Sequence, residues 1–178
     1  MRSALAILIA VVSAALLAAC GDDEPSHTPV VSASNFSSPE NGIAFRAPKG
    51  ATVTKGEDEQ VVVLRRGEAT LTISRFPRPG AKLPRTLRDF DAAYKALGES
   101  YATLRGADPE SISARKRKLA GHDGLFVSDG RGMHHHVYEF GNEFVVDMVA
   151  PPADLKRVRA VLFDPVIQTL EITKPQDE

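Results

Sequence analysis

A single cysteine, Cys20, is all that the sequence offers to disulfide chemistry, so no intramolecular disulfide framework is available to hold a fold. Neither sign of charge dominates. Lys and Arg number 22 against 23 Asp and Glu, a formal net of −1, and no bulk polyelectrolyte field points to nucleic acid. Tryptophan is absent, and one aromatic, Phe76, within the basic stretches is not the interleaving that a single-stranded nucleic-acid surface requires. The chain also lacks a Gly-x-Ser-x-Gly elbow, an HExxH helix, a P-loop, a dinucleotide-binding fingerprint and any internal repeat. Asp and Glu are plentiful, yet no pair stands in a context that suggests acid–base work, and the expectation is a protein that is not an enzyme. What is present, 43% hydrophobic and 25% charged residues over 178 positions, suits one globular domain with an appendage.

The appendage comes first. Met1 to Ala19 holds one basic residue, Arg2, then an unbroken apolar and small-residue run, the pattern of a secretory signal. As a membrane span the run is at the short end of the ~17–25 residues required, and acidic "GDDE" follows it in place of a basic stop-transfer flank. Leu17-Ala18-Ala19-Cys20 resembles the bacterial lipobox. That resemblance implies a diacylglyceryl group on the thiol of Cys20, which becomes the mature N-terminus, and a chain held on the outer side of a bacterial cell membrane. Several acyl chains anchor stably, because each buried methylene contributes about 0.8 kcal/mol. Residues 20–41 are polar and poor in large apolar side chains, and the composition predicts a flexible tether about 25 Å in reach.

The globular part is expected over 42–174, with a short tail at 175–178. "GIAFRAP" reads as a strand stopped by Pro48, and "QVVVLRRGEATLTISRF" as two strands around Arg66-Gly67-Glu68. Pro77 to Arg85 is a breaker-rich loop. Leu87, Phe90, Tyr94, Leu97, Tyr101 and Leu104 then recur at helical spacing, with Thr86 as N-cap and Gly106 as terminator. This stripe reads as core, or as the roof of a ligand groove lined by Tyr94 and Tyr101. "ARKRKLAGHDGLFVSDGRG" gives two strands about a Gly121–Gly124 turn, and a helix closes the chain from about Asp154, with Asp164-Pro165 able to cap and restart it. The sum is an α+β domain whose antiparallel sheet is flanked by helices.

The basic stretches are Arg65-Arg66, Arg75 to Arg88, and Arg115 to Lys118. They read as solvated edges, where Lys and Arg discourage edge pairing, or as contacts to anionic headgroups or an acidic partner. A headgroup contact is worth ~1 kcal/mol per basic residue.

"GIAFRAPKGATV", "LAGHDGLFV", a strand ending "VAPP" and "VLFDPVIQTLEI" together resemble the PsbP-like superfamily, which includes PsbP extrinsic proteins, DcrB-type proteins and LpqN-type envelope lipoproteins. The similarity spans roughly 42–173 and carries no catalytic motif. It implies an α/β/α sandwich and a non-catalytic accessory or carrier role, with a lipid-like ligand or an envelope protein as partner and no cofactor beyond the acyl lipid on Cys20.

One cluster stands apart: "GMHHHVYEFGNEFVVDMV". A Gly141-Asn142 turn pairs His136 with Asp147 and His134 with Val149. Side chains alternate along a strand, so His134 and His136 share one face with Asp147 while His135 lies on the other, more apolar face. Two His and one carboxylate form a ligand set for Zn²⁺ or Cu²⁺. The other reading is a His–Asp hydrogen bond across a sheet.

Overall fold

A computed structural model describes residues 35–80, 92, 95–96, 112–128 and 130–176. Ten strands and a closing helix account for most of them. Strands β1 (Asn35–Ser38), β2 (Ile43–Arg46) and β10 (Glu171–Ile172) make a small antiparallel sheet in the order β1-β2-β10. The large antiparallel sheet contains β3 (Thr52–Lys55), β4 (Gln60–Arg66), β5 (Ala69–Pro77), β6 (Ser113–Leu119), β7 (His122–Ser128), β8 (Gly132–Glu139) and β9 (Asn142–Val149), ordered β3-β4-β5-β9-β8-β7-β6.

Alternation builds this sheet. In β5, Ala69, Leu71 and Ile73 are buried while Thr70, Thr72 and Ser74 are half-buried; in β9, Phe144, Val146 and Met148 are buried between half-buried or exposed neighbours. The apolar face they share continues through Val53, Val62, Leu64, Met133, Val137 and Phe126. Ile43, Phe45 and Ile172 of the small sheet and Val158, Leu162, Phe163 and Val166 of the closing helix complete one cluster with it. Each such large side chain, once buried, contributes roughly 1.5–3 kcal/mol.

The closing helix passes from Leu155–Val158 through a π-helical turn, Arg159–Phe163, into Asp164–Thr169. It does not stop and restart, since Asp164 keeps helical angles (φ −58, ψ −40). The π turn accommodates Pro165, which has no N–H to give the carbonyl four residues back. That carbonyl, of Val161, accepts instead from Arg66 Nη1 at 2.7 Å.

Four features depart from the sequence reading. Asn35–Asn41, placed in the tether by composition, belong to the domain: β1 pairs with β2, and Phe36 stacks on Phe45 with centroids 5.0 Å apart. Pro175, placed in the tail, is buried, and Gln176 N–H donates to Pro39 O. Strands β3 and β10 were not visible as patterns, being only four and two residues long. Both late hairpins turn earlier than expected, at Ala120-Gly121 (φ 51 and 83) in place of Gly121–Gly124 and at Phe140-Gly141 (φ 53 and 71) in place of Gly141-Asn142. Two left-handed residues make the primed turn that suits the strand twist, with Gly in the second place. Of the expected first helix, Ala92, Lys95 and Ala96 are described and helical; Tyr94 and Tyr101 lie outside the described residues, as does Cys20.

Candidate functional site

Strand β8 is buried on both faces from Gly132 to Val137, which is why all three histidines are buried. The face division holds, and the register shifts by two. His134 stands opposite Asp147, His136 opposite Val145 and Tyr138 opposite Glu143. The earlier turn is the reason, since it makes Glu139–Asn142 the closing pair. Asn142 is buried; its amide donates to Phe140 O at 2.8 Å and its carbonyl accepts from Arg75 Nε at 2.9 Å, so it is ladder rather than turn.

Each histidine has its own partner. His134 Nδ1 is in close contact with Asp147 Oδ1. His136 Nδ1 lies 2.8 Å from Glu143 Oε1, on the diagonal of the ladder, and Tyr138 Oη donates to the same oxygen at 3.0 Å. Arg78 Nε reaches Glu143 Oε2 at 3.3 Å. Burial raises the Glu143 carboxyl, but His136, Tyr138 and Arg78 outweigh it and hold Glu143 below the usual carboxylate range. Burial, then the Glu143 charge, pushes the Tyr138 hydroxyl well above its ordinary value, so it stays a donor.

His135 occupies the core face. Its Nε2 lies 3.0 Å from Arg117 O, and because a carbonyl only accepts, Nε2 carries the proton and Nδ1 does not. Nδ1 is buried without a hydrogen-bond partner, and burial takes the His135 pKa down to about 4. The ring also meets Phe126 edge-on, centroids 5.7 Å apart. This geometry requires Gly124. A Cβ there would stand 2.9 Å from Arg117 O, 2.9 Å from His136 O and 3.0 Å from His135 Nε2.

The predicted trio is thus distributed. His134 and Asp147 come together, His136 goes to Glu143, and among the described residues no group of three or more His, Cys, Asp or Glu is arranged to hold a metal ion. Sequence reasoning missed Glu143 and Arg78. Placing Gly141 second in its turn would have set Glu143 opposite Tyr138 and diagonal to His136.

A second feature lies at the β6 end of the sheet. The guanidinium carbons of Arg115 and Arg117 stand 5.1 and 5.5 Å from the Phe126 centroid, while Lys116 and Lys118 are exposed. Open clefts occur elsewhere. One of about 450 Å³ is lined by Asn35, Phe36, Phe45, Arg46, Thr169 and Glu171, and one of about 290 Å³ lies between Arg66 and Arg157. No described helix is long and apolar enough to cross a membrane.

No protein family model matches the sequence, and no curated protein is similar to it. Among solved structures, cyanobacterial PsbP (CyanoP) from Synechocystis sp. PCC 6803, determined in solution, superposes with a TM-score of 0.54. The match covers 88% of this chain and 99% of that one at 18% identity. The chain therefore shares the PsbP fold, a mixed α+β architecture of antiparallel sheets with a C-terminal helix.

Proposed function

We propose that the protein is a non-catalytic lipoprotein of the bacterial envelope: a PsbP-fold domain, anchored through an acyl-modified Cys20, that serves as a binding or accessory module. The observation that carries the non-catalytic part is the closed network around Glu143. Three donors converge on one carboxylate and favour its ionised form, and Tyr138 is held as a permanent donor. An acid–base pair needs a group that changes protonation near its working pH; these two are driven away from that condition. The PsbP fold agrees with an accessory role, and the Leu17–Cys20 segment behind an apolar leader supports the anchor.

The partner is an envelope protein or a lipid-like ligand, the latter beneath the helix that the sequence predicts over Tyr94 and Tyr101. Cross-linking of the anchored protein in its native envelope, followed by mass spectrometry, tests this. A reproducible cross-linked protein or co-purified lipid is expected; recovery of the bare chain alone contradicts it.

A second reading, Zn²⁺ or Cu²⁺ held by His134, His136 and Asp147, has the His134–Asp147 contact in its favour and the His136–Glu143 contact against it. Calorimetry with each ion decides it. Binding weaker than about 100 μM, or unaltered in His136→Ala, sinks the metal site; the threshold corresponds to about −5.5 kcal/mol.

A further inference from the structure

The basic β6 strand, Ser113-Ala-Arg-Lys-Arg-Lys-Leu119, has no part in the network around Glu143. It ends the large sheet among the described residues and pairs with β7 alone. Four successive cations therefore sit on one edge, along roughly 10 Å at ~3.3 Å per residue. Arg115, Lys116 and Lys118 are exposed and Arg117 is half-buried.

Among the described residues these charges are uncompensated: none of the four makes an ion pair within 4.0 Å, and no side-chain hydrogen bond takes up the donors of Arg115 or Arg117. The nearest acid in register is Asp123, opposite Lys118. The two guanidiniums are nevertheless positioned. Both lie over the Phe126 ring, itself packed edge-on against His135 and Phe163. The shared ring holds two forked donors close together, and such donors receive phosphate oxygens in pairs; Arg117 Nη1 is buried, so the open donors are those of Arg115 and the remainder of Arg117. A chain of exposed cations without such a platform would be a diffuse charge. This one has a rigid middle.

We propose that the β6 edge binds phosphate groups of anionic phospholipid headgroups, with Arg115 and Arg117 as the phosphate fork and Lys116 and Lys118 as flanking charges. The inference rests on the envelope-anchored reading, which keeps the domain within a tether's length of a bilayer. Held there, the edge needs little affinity of its own to lie on the surface, because the second contact is intramolecular. The consequence is a fixed orientation, with the sheet standing on β6.

The test uses the full chain mixed with vesicles of phosphatidylcholine, or of phosphatidylcholine with one third phosphatidylglycerol, and reads acetylation of Lys116 and Lys118 by mass spectrometry. The anionic vesicles should slow acetylation at both positions at least fivefold, and added salt should remove the protection. Equal rates on the two vesicles overturn the proposal. So does equal protection by millimolar inorganic phosphate, which would make the site one for a free anion, or protection only by an added acidic protein. Arg115→Gln with Arg117→Gln should abolish the protection, and persistence in that variant overturns the phosphate fork. If that pair fails to fold, Lys116→Gln with Lys118→Gln replaces it at exposed positions, with acetylation of Lys95 and Lys156 as reference and hydrogen exchange of the β6 amides as readout; undiminished exchange protection on anionic vesicles then overturns the role of the flanking charges. Co-sedimentation with pure phosphatidylcholine vesicles reports the Cys20 anchor separately, so loss of anchoring and loss of the headgroup contact are distinguishable.

Discussion

At the scale of single residues, the polar interior of β8 ties stability to pH. His135 is neutral in the fold with a pKa of about 4, against 6.5 for the free side chain. The unfolded chain takes up its proton near 6.5, and the folded chain resists until about 4. Stability is therefore complete above 6.5, falls between 6.5 and 4, and is flat in this contribution below 4, with a total loss of about 3 kcal/mol. Glu143, lowered in the fold, adds a loss of the same sign as pH drops through the carboxylate range. Urea midpoints should decline steadily from pH 7 to pH 4. In His135→Leu the protein should be weaker at pH 7 but its profile between 6.5 and 4 flatter; an unchanged slope would show that another group controls the decline. Gly124 is the second sensitive point, because both backbone oxygens beside its missing Cβ belong to ladder strands that cannot retreat cheaply. Gly124→Ala is expected to lose roughly 1–3 kcal/mol by the same measurement. Stability equal to the parent would mean that His135 does not depend on that gap.

At the scale of elements, the hairpin turns explain most of what the sequence concealed. Strand alternation alone separated His135 from His134 and His136, and the structure keeps that separation. Register depended on the turn, where Gly121 and Gly141 each take the second left-handed place and leave Ala120 and Phe140 in the first. Neither is a residue that turn chemistry favours there, so composition pointed to Asn142 instead. Glu143, the hub of the ladder, was hidden by that two-residue shift. A left-handed non-glycine residue costs roughly 1–2 kcal/mol, and Phe140 returns part of this by meeting the His122 ring edge-on at 5.8 Å. Phe140→Asn should therefore raise stability by about 0.5–1 kcal/mol in urea titrations, whereas a destabilised variant would assign the turn's strength to the Phe140–His122 contact. In the closing helix the Asp164-Pro165 step suggested a break, but the π turn absorbs the proline and Arg66 satisfies the carbonyl it leaves. Arg66→Ala is expected to cost roughly 1–2 kcal/mol, with early hydrogen exchange at Asp164 and Val166 as its local sign.

At the scale of the whole molecule, the α+β architecture was legible because the apolar face of the large sheet alternates cleanly in β5 and β9 and the closing helix keeps its stripe through Val158, Leu162 and Val166. The domain's first boundary was not. Asn35–Ser38 is a polar segment that becomes a strand only because one ring, Phe36, finds Phe45 on the neighbouring strand. His134 and His136 are taken up by carboxylates on their own sheet, and the run of four cations on β6 lies apart from them. A domain that offers a cationic edge and an inert polar interior is suited to holding a position on a membrane, and the anchor is what such a function requires first. Metabolic labelling with palmitate in a bacterial host, comparing the chain with its Cys20→Ser variant, tests that requirement most directly. Label on the parent chain and none on the variant is expected; equal label on both, or none on either, would rule out an acyl anchor at Cys20.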